Sequence, residues 1–123
     1  INTNKVRAYL RINKGVSNMG WATFAIEKLK NGHPVIIRPR GNSMAGLIKS
    51  GSLVEIKPLG KNSVIAKHDI VLCRVKGREY LHLVGAIQDN RYLIQNNRGH
   101  INGWITRDNI YGIYVKTISG KLE

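Results

Sequence analysis

Gly41-Asn42-Ser43-Met44-Ala45-Gly46-Leu47-Ile48-Lys49-Ser50-Gly51-Ser52 is the stretch on which the reading of this chain turns. An extended, basic run, Val35 to Arg40, leads into it. An amphipathic segment follows Ser43 and ends at Gly51, and a second extended run occupies Leu53 to Pro58. This order predicts a single small hydroxyl, Ser43, presented at the edge of a sheet. Far along the chain, His82 lies inside another extended run. A serine that an imidazole can reach is the raw material of acyl transfer, because the ring takes the hydroxyl proton as the oxygen attacks.

Outward from this stretch the pattern is mainly strand. Val35 to Ile37 is short and β-branched, and Leu53 to Ile56 alternates. Asp69 to Val75 is nearly all apolar, which predicts a central strand. Lys76-Gly77-Arg78 predicts a tight turn into Glu79 to Ile87, and Gln88-Asp89-Asn90 a turn into Arg91 to Ile94. Asn96 to Gly103 reads as a polar loop. Trp104-Ile105 and Ile110 to Val115 complete the sheet. Before the strands, Ser17 or Asn18 can cap a helix running to about Lys30, with Trp21, Ala25 and Leu29 on one face. Asn31-Gly32 stops it and Pro34 forbids its continuation. Val6, Ala8, Leu10 and Ile12 alternate with Arg7, Tyr9, Arg11 and Asn13, as in a strand with one basic face or a basic arm. Residues 1–16 are therefore set apart from a single domain over 17–121. Leu122-Glu123 fits a vector-derived scar. The chain starts at Ile1, as trimming, processing or renumbering would each give.

Composition narrows the function. At 123 residues the chain suits one domain. No apolar run is long enough to cross a bilayer, and the amino end shows no signal-peptide pattern. Cys73 is the sole cysteine, inside an apolar run. It reads as a core thiol in a reducing, cytoplasmic setting. His33, His68, His82 and His100 lack metal-ligand spacing, and no glycine-rich phosphate loop is present, so no metal or cofactor is implied. Twenty Lys and Arg against seven acids give a net charge of +13, which favours an anionic partner such as nucleic acid.

Together these segments resemble the superfamily of signal peptidases and LexA-type repressor peptidases, over roughly Lys28 to Lys116. Gly41-Asn42-Ser43-Met44 matches the family's Gly-x-Ser-Met. Gly51-Ser52 stands at its Gly-Asp turn, and His68-Asp69-Ile70-Val71 at the strand that follows. Tyr80-Leu81-His82-Leu83-Val84 falls where the general base belongs. Gln95-Asn96-Asn97 matches a Gly-Asp-Asn loop, and Ile110-Tyr111-Gly112 the returning strand. The resemblance implies a coiled β-sheet fold with one amino-terminal helix. It also implies a serine peptidase, with Ser43 as nucleophile and the histidine-type base at His82. Asn96 would assist the base, Gly41 and Met44 would lie along the substrate, and the substrate would be an extended segment of a cytosolic protein or the chain's own amino-terminal extension. Histidine needs no large pKa depression to act near neutral pH.

The chain departs from the family at three places. Asn96 stands where histidine-type members keep an acid, Ala45-Gly46 where many signal peptidases carry proline, and Ser52 at a usually acidic position. An amide can orient an imidazole but does not stabilise the imidazolium as a carboxylate does. Asp108 lies downstream as another carboxylate, read first as a turn cap. These departures support an alternative: an inactive module of the same fold that binds nucleic acid. Its contacts would come from Arg7, Arg11, Lys14, Arg38, Arg40, Arg74, Lys76 and Arg78, with Tyr9, Tyr80 or Trp104 for base stacking.

Overall fold

The computed structural model describes residues 21–119, the side chains of Trp21 and Ser119 excepted. Arg7, Arg11, Lys14, Tyr9, the Ser17 or Asn18 cap and the last four positions lie outside the described residues. Within them the chain is mainly β. Helix α1 (Trp21–Lys30) is followed by β1 (Val35–Ile37), β2 (Leu53–Pro58), β3 (Ile70–Val75), β4 (Arg78–Gln88), β5 (Arg91–Gln95), β6 (Ile101–Thr106) and β7 (Ile110–Ser119). No described helix is long and apolar enough to cross a membrane.

Every strand pairing is antiparallel. The seven strands lie in the order β1-β2-β7-β3-β4-β5-β6, so β3, the nearly all-apolar strand expected at the centre, is the middle one. The two hairpin turns expected from the sequence are present. Lys76 and Gly77 have φ of 51° and 82°, and Asp89 and Asn90 have 52° and 64°. Left-handed residues at both central positions match the twist of the flanking strands. At the end of α1, His33 N–H donates to Lys28 O and Gly32 N–H to Leu29 O, both at 3.0 Å. With Gly32 at φ 84°, this satisfies the last carbonyls and turns the chain into β1.

Each face of the sheet has its own core. On one, α1 lays Ala22, Ala25, Ile26 and Leu29 over Val54, Ile56, Leu72, Leu81 and Tyr111. On the other, Val71, Cys73, Val84, Ile94, Ile105 and Ile110 cluster. No described helix covers this second face. The sheet curls and covers itself, bringing β6 onto β3. Ile37, Leu53, Ile56, Leu72 and Ile94 are fully buried, each contributing about 1.5–3 kcal/mol of burial free energy. Cys73 is part of this packing, and burial pushes its thiol up to about 12, which leaves it inert.

One expectation needs correction. The polar loop ends at His100, and β6 begins at Ile101. Asn102 and Gly103 belong to that strand. They lack period-two alternation because the strand is irregular where they sit.

Candidate active site

Ser43 sits on a turn that largely closes on itself. Arg38 Nη1 donates to Gly51 O at 2.6 Å, and Gly51 N–H donates to Pro39 O at 2.8 Å. Gly41 N–H donates to Ser50 Oγ at 2.9 Å. Within the turn, Met44 O accepts from Leu47 N–H and Ile48 N–H at 3.0 and 2.8 Å. This single helical turn drives Met44 and Ile48 into the core under α1. Met44, 5% exposed, therefore anchors the turn and does not face substrate, which corrects the expectation from the motif. Gly41 is exposed, at φ 114°.

A second segment clips the turn from outside. Asn97 N–H donates to Ser43 O at 2.8 Å, and Asn97 Nδ2 donates to Ala45 O at 2.6 Å. Gly46 lies against this clip: a β-carbon there would stand 3.2 Å from Asn97 Nδ2. Proline or alanine at this position would push on the clip.

His82 lies on β4 opposite Val71, 6% exposed, with its ring stacked on Tyr80 at 4.7 Å between centroids. Its Nε2 is 3.0 Å from Ser43 Oγ. Its Nδ1 is 2.7 Å from Asn102 Oδ1. An amide oxygen only accepts, so Nδ1 carries the hydrogen and Nε2 keeps its lone pair toward Ser43. The hydroxyl then donates to the imidazole, which is the arrangement a general base requires.

The partner of His82 is thus Asn102, and the assignment of that role to Asn96 is corrected. Asn96 Oδ1 accepts from the N–H groups of Arg98 and His100 at 2.8 and 2.9 Å, so it shapes its own loop. Asn102 reaches the ring through a bulge. Ile94 pairs with Gly103, but Gln95 pairs with Ile101, so Asn102 is the extra residue of β6. A bulge re-aims a side chain that regular alternation would send elsewhere. Gly103 permits it, with φ 145° and room for a β-carbon only 3.3 Å from Val75 Cγ1. The one signal in the sequence was a polar-Gly pair beside strand-forming residues, which can mark a bulge.

Burial lowers the His82 pKa below its ordinary 6.5; the Asn102 hydrogen bond opposes this and the charge of His100 adds to it. The ring is therefore neutral at neutral pH. Among the described residues no carboxylate bonds to it. Asp108 lies exposed in a 3-10 turn, Arg107–Asn109. The Ser43 N–H donates to no described protein group and is free to meet a developing oxyanion. Beside the turn, Asn42, Ala45, Gly46, Leu47, Ile48, Lys49 and Ser50 line a depression of about 460 Å³.

The proposed nucleic-acid contacts are scattered. Arg38 is tied to Gly51 O, and Arg74 pairs with Glu79 at 2.7 Å while lying over the Tyr111 ring. Lys76 and Arg78 are exposed at the β3–β4 turn, and Arg40 is exposed beside Gly41. No protein-family model matches the chain, and no curated protein sequence is similar to it.

Proposed function

We propose that this chain is a serine peptidase of the signal-peptidase and LexA-type fold, working in the cytoplasm on extended protein segments. The observation that carries this reading is the line Ser43 Oγ, His82 Nε2, His82 Nδ1, Asn102 Oδ1, at 3.0 and 2.7 Å. Ser43 Oγ attacks the scissile carbonyl and passes its proton to Nε2. The Ser43 N–H meets the oxyanion. The imidazolium returns the proton to the leaving amine, and the C–N bond breaks to leave an acyl-enzyme. Water then enters, loses a proton to Nε2, and releases the acid with the Ser43 hydroxyl restored.

Asn102 keeps the productive tautomer through this cycle but offers no negative charge to the imidazolium. Slow turnover fits that composition, as does cleavage of a tethered segment, for which proximity offsets a weak base. Among the described residues β1 is an edge strand that leads straight into the Ser43 turn, which suits a substrate added as a further strand. The order of the six family-like elements supports the same fold.

The alternative, a binding module without turnover, rests on the net charge of +13. A serine-directed phosphonate separates the two. The peptidase reading expects stoichiometric labelling at Ser43, abolished in His82→Ala. Absence of labelling from a folded protein overturns it.

A further inference from the structure

The charge of this protein is not spread evenly around the candidate site. Residues 35–52, which carry Ser43, contain Arg38, Arg40 and Lys49 and no acid. Residues 91–107, which carry the clip and Asn102, contain Arg91, Arg98, His100 and Arg107 and no acid. The two segments meet at Ser43, through the Asn97 bonds to Ser43 O and Ala45 O. Arg38 and Arg107 are spent on the carbonyls of Gly51 and Gly60. Arg91 stands apart, lining a separate depression with Trp104. Arg40, Lys49 and Arg98 remain, all exposed, with the exposed His100 two positions from Arg98. Among the described residues the one ion pair is Arg74–Glu79, so none of these three cations is neutralised. Lys49 lines the depression beside the serine turn.

We infer that Arg40, Lys49 and Arg98, with His100 beside them as a hydrogen-bond donor, form a cationic rim that selects an acidic peptide segment for the Ser43–His82 site. The inference rests on the peptidase reading and names its substrate class. Uncompensated cations around a cleft raise the local concentration of anionic ligands and speed their encounter. A peptide fits the rim better than a nucleic acid. Among the described residues, the candidate stacking rings Tyr80 and Trp104 are both engaged elsewhere. Tyr80 is stacked on His82, and the exposed Trp104 lines a separate depression with Gln88, Asp89 and Arg91.

The test uses the full chain as Ser43→Ala, which binds without turnover. Labelled peptides of one length, acidic, neutral or basic, are titrated by fluorescence anisotropy at about 50 mM and about 500 mM salt. The acidic peptide is expected to bind at least about tenfold tighter than the neutral one at low salt, with the preference collapsing at high salt. Adding Lys49→Gln and Arg98→Gln together should remove most of the preference. Arg78→Gln at the β3–β4 turn, outside the rim, with Lys67→Gln to match the charge, should leave it in place. Equal affinity for acidic and neutral peptides overturns the proposal, as does an equal loss in both double variants. A single-stranded oligonucleotide of matched charge that binds tighter and displaces the peptide assigns the rim to nucleic acid and also overturns it. Turnover by the unmodified serine is measured separately. Acidic preference without turnover keeps the rim and removes the peptidase; turnover without preference does the reverse.

Discussion

Two regions converge on the His82 ring, and they hold their side chains in different ways. The Ser43 turn is braced redundantly. Its mouth is closed by bonds from Arg38, Gly41 and Gly51, its floor is plugged by Met44 and Ile48, and Asn97 clips its outer side. The Asn102 bulge depends on a single irregularity in a strand ladder, made possible by one glycine packed against Val75. A nucleophile held by many local bonds tolerates the loss of any one of them. An orienting group held by one register shift does not. The difference implies that substitutions release Asn102 from the ring more readily than they displace Ser43.

The strongest way to test this is to delete each partner of the ring. Ser43→Ala or His82→Ala is expected to reduce kcat by at least about 10⁴-fold, since residues that act as a unit lose nearly everything together. Asn102→Ala should cost up to about 10⁴-fold, the loss when a catalytic imidazole is left in the wrong tautomer. Asn96→Ala, measured alongside it, should leave the ring tautomer unchanged in ¹⁵N NMR spectra. If Asn96→Ala alters the tautomer and Asn102→Ala does not, the assignment of the orienter is wrong.

The two glycines sharpen the contrast. Gly103→Ala is expected to destabilise by about 1–3 kcal/mol, from left-side backbone strain and the approach to Val75, and to release Asn102 from the ring. Gly46→Ala is strained at φ 95° and presses on the side chain of Asn97, and it should disturb activity less than stability. Denaturant melts paired with kcat measurements read both effects.

The smallest effect is the dependence on pH. Because burial lowers the His82 pKa, the base stays neutral to below pH 6.5, and the acid limb of activity should lie there. The sign for stability follows: the unfolded chain takes the proton first, so this contribution is full above pH 6.5 and is lost as the pH falls toward the folded value. Asn102→Asp puts a carboxylate on Nδ1 and should move the acid limb upward. An unmoved limb would show that the pair of Nδ1 and residue 102 is not formed in solution.

Much of the fold was legible because its signals are local. The β3–β4 and β4–β5 turns, the stop of α1 at Gly32, and the central place of the apolar β3 all follow from residues close together in the chain. The Ser43 turn was legible for the same reason: its glycines and its hydrophobic anchors sit within a dozen positions of the serine. Met44 was misplaced because a motif names a residue without saying which way a helical turn points it.

The amino-acid order by itself determined a mainly β chain with an exposed serine turn, a histidine on a strand, and a strong positive charge. Only the tertiary structure decided that the ring meets Ser43 on one side and Asn102 on the other. It also decided that Asn96 serves its own loop, and that the segment carrying Arg98 is clipped onto the Ser43 turn through Asn97. The physical reason is register. Turn and core preferences act over a few residues, whereas a bulge is settled by the pairing of whole strands, and one extra residue in β6 sends Asn102 to the ring.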